Sequence, residues 1–142
     1  MTIPRVVLLY GLAGLIPFFA APLGTMLAPD FRWQFNEALL WWSAIILSFL
    51  GGARWGAAVQ ADAPSPRLIG LAMLPSIAGW LILVLVPANM RVIQFSALAT
   101  ALLLHLLWDL AARAMPCWYG RLRMVLTAGA MTALAWQALL QG

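Results

Sequence analysis

Five apolar stretches, each near the length of a bilayer crossing, take up most of this 142-residue chain: residues 6–27, 38–59, 68–86, 92–110 and 124–140. About 30 Å of hydrocarbon needs roughly 20 apolar residues in an α-helix, and each run meets or approaches that length. The connections between the runs are too short to fold into a soluble domain. The expectation is therefore an all-α polytopic membrane protein, a bundle of five transmembrane helices forming one domain over residues 1–142. Hydrophobic residues make up 65% of the chain and charged residues 8%, against about 25% charged in an ordinary soluble domain. Such a surface suits lipid.

The net charge of +4 comes from arginines alone, scattered mostly at segment ends. Nucleic-acid binding needs a basic stripe, and none is present. An Arg5 before an apolar run also fits a secretory signal, but the length of the run, Pro17, Pro22 and the lack of a small-residue cleavage site favour a retained span. Positively charged connections stay in the cytoplasm. With the N-terminus inside, Arg5, Arg67, Arg113, Arg121 and Arg123 fall inside and only Arg32 and Arg91 outside. This orientation places the C-terminus outside, in a multi-pass protein of the bacterial inner (cytoplasmic) membrane. Trp33, Trp41, Trp42, Trp118 and Trp136 lie near segment ends, where indoles favour headgroups; Trp55, Trp80 and Trp108 are deeper and are expected to pack between helices.

Three ionisable residues stand inside the apolar runs: Arg54, His105 and Asp109. A charge at such depth needs a partner or a function. In the chosen orientation Arg54 lies about 9 Å inside the inner end of span two, at ~1.5 Å per residue. Asp109 is close to the inner end of span four, and His105 sits one turn deeper on the same face at i,i+4 spacing. All three therefore belong to one inner-leaflet cluster. A guanidinium fork matches a carboxylate, so the leading reading is a latch between spans two and four, with His105 hydrogen-bonded beside it. A proton-responsive or anion-binding cluster is the functional alternative, since histidine titrates near neutrality; separate snorkelling of Arg54 and Asp109 is a third. For this latch, Asp109→Ala is expected to be strongly destabilising, and Arg54→Met with Asp109→Leu to recover much of the loss.

Span two also carries the small residues. Ser48, Gly52 and Gly56 form a small-xxx-small seam that admits a close neighbour, for packing or for homodimerisation. Arg54 shares the other side of the helix with Gly51 and Ala58, so span two is expected to be contacted on two sides. Pro17 and Pro75 are expected to kink spans one and three, freeing the carbonyls of Ala13 and Leu71. The inner connection with Arg113, Trp118, Tyr119, Arg121 and Arg123 reads as an interfacial anchor to anionic headgroups, or alternatively as a docking site for an acidic loop. One histidine and one cysteine make no zinc site, and phosphate-loop and nucleophile-elbow patterns are missing. No catalytic residue, metal or cofactor is expected.

Taken in order, Tyr10-Gly11-Leu12-Ala13-Gly14-Leu15-Ile16-Pro17-Phe18, Leu47 through Gly56, Leu74-Pro75-Ser76, Asp109, and Pro116 through Arg123 with Thr127 resemble the transmembrane protein 69-like family, a membrane domain of unknown function in proteobacteria and mitochondria. The resemblance extends over nearly the whole chain and implies a small multi-span inner-membrane protein. In that family the position of Arg54 is commonly histidine, within Gly-Gly-x-His-Trp-Gly; arginine keeps a donor there but loses a group that titrates near neutrality. The leading functional expectation is a non-enzymatic accessory or assembly subunit of a membrane complex. Its partners would be the lipid bilayer and either that complex or further copies of the chain. The alternative is a small-solute or proton-coupled carrier using the Arg54/His105/Asp109 cluster.

Overall fold

Prolines and short polar turns cut the apolar chain into rods that have to satisfy their own backbone groups, as lipid demands. The computed structural model describes residues 2–112 and 116–142. It contains α1 (Arg5–Ala13), α2 (Ile16–Leu27), a single 3₁₀ turn (Pro29–Phe31), α3 (Arg32–Val59), α4 (Pro66–Leu85), α5 (Arg91–Ala111) and α6 (Cys117–Leu139). Among the described residues there is no strand. The segments Arg5–Leu27, Pro29–Val59, Pro66–Leu85 and Arg91–Ala111 are long and apolar enough to cross a membrane. The 23-residue α6 carries Arg121 and Arg123 in its first turns and packs along α5 and α2. The chain is an all-helical membrane bundle.

Pro66 opens α4 from the first-turn position, where its missing N–H costs nothing. The same helix ends at Leu85, two residues before Pro87. Pro17 breaks the first span into α1 and α2, as its sequence position implies, and the indole Nε1 of Trp42 donates to the Gly14 carbonyl at 3.1 Å. Trp42 is thus a brace across the break from α3, half-buried rather than a headgroup anchor. Pro75 behaves differently. α4 continues through it, and Pro75 is buried against α3.

α3 touches α2, α4 and α5, which makes it the central helix, as expected from its two-sided pattern. The core between these elements is apolar and includes Phe18, Leu39, Leu40, Leu47, Phe95, Leu98, Leu102 and Leu134. Three expectations are corrected. Trp55 and Trp80 are 47% and 58% exposed and face outward, because the bundle's tight contacts are made by smaller residues. The Ser48-Gly52-Gly56 seam is not the packed side of α3: nothing lies within 4 Å of a Cβ built at Gly52 or Gly56. The packed glycine is Gly51, whose added Cβ would stand 2.6 Å from the Ala72 carbonyl oxygen of α4 and 3.3 Å from Pro75. The third correction is the last span: helix begins at Cys117, about two turns before Met124.

Because the obstacle at Gly51 is backbone, it cannot move aside as a side chain could. Gly51→Ala should destabilise the detergent-solubilised protein by about 1–3 kcal/mol, whereas Gly52→Ala and Gly56→Ala should leave it unchanged or slightly raised. Thermal unfolding followed by tryptophan fluorescence checks this; equal effects at the three glycines would refute the packing.

Candidate functional site

Near the ends of α3 and α5 and the start of α6, one carboxylate is held by two guanidiniums. Arg54 donates through Nε to Asp109 Oδ1 at 2.7 Å, and Arg123 donates through Nε to Asp109 Oδ2 at 2.7 Å. Arg54 also gives Nη2 to the Trp108 carbonyl at 3.0 Å, and its guanidinium carbon lies 5.0 Å from the Trp108 ring centroid. That carbonyl, in the last turn of α5, also accepts the Ala112 N–H at 3.0 Å, so Arg54 occupies its second lone pair. Arg54, His105, Asp109 and Arg123 are each between 3 and 6% exposed. Asp109 sits in the last turn of α5, where a negative charge opposes the helix dipole; the two arginines offset that penalty as well as the burial.

The three residues expected to cluster do so, and Arg54 pairs with Asp109. His105 is closely placed, its Nδ1 3.3 Å from Asp109 Oδ2, but without hydrogen-bond alignment. Neither ring nitrogen has a hydrogen-bond partner among the described residues. The ring lies 5.5 Å from that of Trp108 and lines an apolar cavity of about 420 Å³ between α3, α4 and α5.

Arg123 is the member that sequence reasoning assigned elsewhere. It was expected at the interface with Arg121; Arg121 is exposed, but Arg123 turns into the bundle because α6 begins early. The signal was present in the spacing: Arg123, Thr127, Ala130, Leu134 and Gln137 recur every three or four residues and are all buried, the pattern of one helix face. Trp118 and Tyr119 are half-buried at the start of α6 and meet edge to face, with ring centroids 6.1 Å apart. Arg113 lies outside the described residues.

A second polar layer at the opposite end escaped the sequence reading. Gln137, fully buried, donates to Thr25 Oγ1 at 2.9 Å and to Asn36 Oδ1 at 2.6 Å. Asn36 in turn donates to Gln141 Oε1 at 2.8 Å, tying α2, α3 and the end of α6. Beside it Arg91 pairs with Glu37 and donates to Gln94 Oε1 at 3.0 Å, while Gln94 donates to the Val86 carbonyl at 2.8 Å. Neutral amides inside apolar runs give no charge signal, which is why this layer was invisible.

Removing one member of a buried ion pair strands the other, at a cost of about 3–5 kcal/mol. Since Asp109 serves two arginines, Asp109→Ala strands both, and Arg54→Met with Asp109→Leu still strands Arg123. Recovery should therefore require the triple variant Arg54→Met, Asp109→Leu, Arg123→Met, while Arg54→Met or Arg123→Met alone should cost less than Asp109→Ala. Unfolding in detergent across this set is the measurement; recovery in the double variant would exclude Arg123 from the cluster.

The profile of the family described as protein of unknown function (DUF3429) matches residues 3–139 of the chain. The chain is 34% identical over 135 residues to Transmembrane protein 69 of Xenopus tropicalis, a match that covers 92% of this chain and 53% of that protein. It is 36% identical over 80 residues to Transmembrane protein 69 of Mus musculus, covering 54% of this chain and 33% of that protein. The chain thus spans about half the length of the first of these curated relatives. No solved structure matches it. By the family profile and the similarity along almost its full length, the chain belongs to the DUF3429, transmembrane protein 69-like family of membrane proteins.

Proposed function

We propose that this protein is a non-enzymatic accessory or assembly subunit of a membrane complex in the bacterial inner membrane, built as five spans with its N-terminus in the cytoplasm. The observation that carries the reading is the open Gly52 and Gly56 part of the seam on α3. Gly52 is exposed, Gly56 is half-buried, and a Cβ at either would meet nothing within 4 Å. Beside them the exposed hydroxyls of Ser48 and Ser76 lie 2.9 Å apart. Small residues let a second helix approach closely in lipid, and hydroxyls can bond across such a contact. The occupant that fits is a transmembrane helix of a partner protein. Orientation rests on the arginine count, which still favours the N-terminus inside when Arg123 is counted within the bundle.

A carrier is the rival reading, and His105 is what favours it: a buried histidine at a cavity wall with no hydrogen-bond partner among the described residues. Against it stands the layout of polar groups. Asn36 and Arg54, which mark the two polar layers on α3, are ~27 Å apart at 1.5 Å per residue, and the core between them is leucine and phenylalanine.

Extraction in mild detergent followed by native-gel migration should show the wild type in a particle larger than the bundle. Gly52→Leu with Gly56→Leu should release it as a small particle with an unchanged unfolding temperature. A wild type that migrates alone, or only as a homo-oligomer, would overturn the subunit reading. Proteoliposome flux after a pH jump should be no greater than in protein-free vesicles and the same for wild type, Asp109→Asn and His105→Ala; flux lost in these variants would establish the carrier instead.

A further inference from the structure

A cavity of about 130 Å³ lies between α1, α2, α3 and α6. Stretches far apart in sequence meet around it: Gly11, Gly14 and Leu15 at the break of the first span, Phe49 and Leu50 of α3, and Arg123 with Thr127 of α6. Its wall is otherwise almost wholly apolar. Besides the exposed Tyr10, the polar side chains on it are Arg123 and Thr127, and Arg123 Nη2 and Thr127 Oγ1 are buried with no hydrogen-bond partner among the described residues. Arg123 is 4% and Thr127 2% exposed, and i,i+4 spacing puts them on one face of α6. A buried donor without an acceptor is costly, most of all on a charged group.

Charge points the same way. Two guanidiniums share one carboxylate, so Arg54, Asp109 and Arg123 together carry one unbalanced positive charge. The other acidic residues do not offset it: Glu37 pairs with Arg91 at the far end, Asp30 is in the 3₁₀ turn, and Asp62 is exposed in the α3 to α4 connection. Water could bridge Arg123 and Thr127 but would not neutralise the charge. Size then narrows the ligand. Pockets that enclose a drug-sized molecule run to ~300–1,000 Å³, well above this volume, so the cavity takes one small anionic group, and the apolar wall around it suits a group that carries a hydrocarbon chain.

We propose that this cavity binds a single anionic oxygen group, carboxylate or phosphate, carried on an apolar lipid chain. Arg123 Nη2 and Thr127 Oγ1 donate to the anion, and the apolar wall receives the adjoining chain. Arg123 is thereby shared between Asp109 and the lipid, which completes the charge balance of the cluster.

Thr127→Val tests this without altering charge or shape. Purified wild type and variant are placed in nanodiscs of phosphatidylcholine alone, or of phosphatidylcholine with phosphatidic acid or oleate added, and retained lipid is measured by native mass spectrometry. Wild type should retain the acidic lipid, and Thr127→Val should lose about tenfold in affinity, the effect of one hydrogen bond to a charged group, with the same unfolding temperature in phosphatidylcholine alone. Ala130→Leu, which fills the cavity, should abolish retention; a variant that fails to fold leaves Thr127→Val to decide. Equal retention by wild type and Thr127→Val, or no preference for acidic over zwitterionic lipid, overturns the proposal. A response to inorganic phosphate or acetate without one to lipid overturns the lipid assignment.

Discussion

The carboxylate of Asp109 is the point on which one end of the bundle depends. It gives each of its oxygens to a different arginine, and the arginines come from different helices, so one side chain ties α5 to α3 and to α6. In lipid no hydrophobic force draws one apolar helix to another. Polar ties and close packing have to set position and register, and a buried charge is severe about both, since a displaced partner leaves it unpaired. The opposite end solves the same problem with neutral amides around Gln137 and an ion pair at Arg91. Arg123 and Gln137 are 14 residues apart, ~21 Å along α6, so the two layers lie toward the two ends of the bundle with the apolar core between them.

Much of this was legible in the sequence, for identifiable reasons. The all-helical membrane class follows from run lengths. The meeting of Arg54 and Asp109 follows from antiparallel counting, because each residue's distance from its helix end fixes its depth. The buried side of α3 was legible in part: Gly51 was placed with Arg54, but the Gly52 and Gly56 seam, chemically just as suited to packing, gave no sign that it would face outward. Small residues report that a close approach is allowed; they do not report whether the partner is in the same chain.

The misplacement of Arg123 has a simpler origin. A span boundary set by where continuous apolarity begins excludes any charged residue in the first turns of the helix, which is where a buried arginine looks like an interfacial one. Helical periodicity is the better guide there, since Thr127, Ala130, Leu134 and Gln137 extend a stripe that includes Arg123. Gln137 and Asn36 were missed because an amide is ambiguous by itself: its burial is decided by the partners brought to it from α2, α3 and α6, and that information is tertiary.

The helices are not all held in the same way. α3, α5 and α6 are joined by charge at one end, and α2, α3 and α6 by amides at the other. α4 has no ionic tie among the described residues; it rests on the close approach at Gly51 and Gly79, the Ser48 to Ser76 contact, and Gln94 at its final turn. α1 buries no residue of its own and touches chiefly α6, where a Cβ at Gly11 would stand 3.0 Å from Leu126. Its position is set by the chain break that Trp42 braces and by the cavity wall it shares with Arg123 and Thr127. The helix with the fewest buried residues thus lies beside Arg123, whose Nη2 has no hydrogen-bond partner among the described residues.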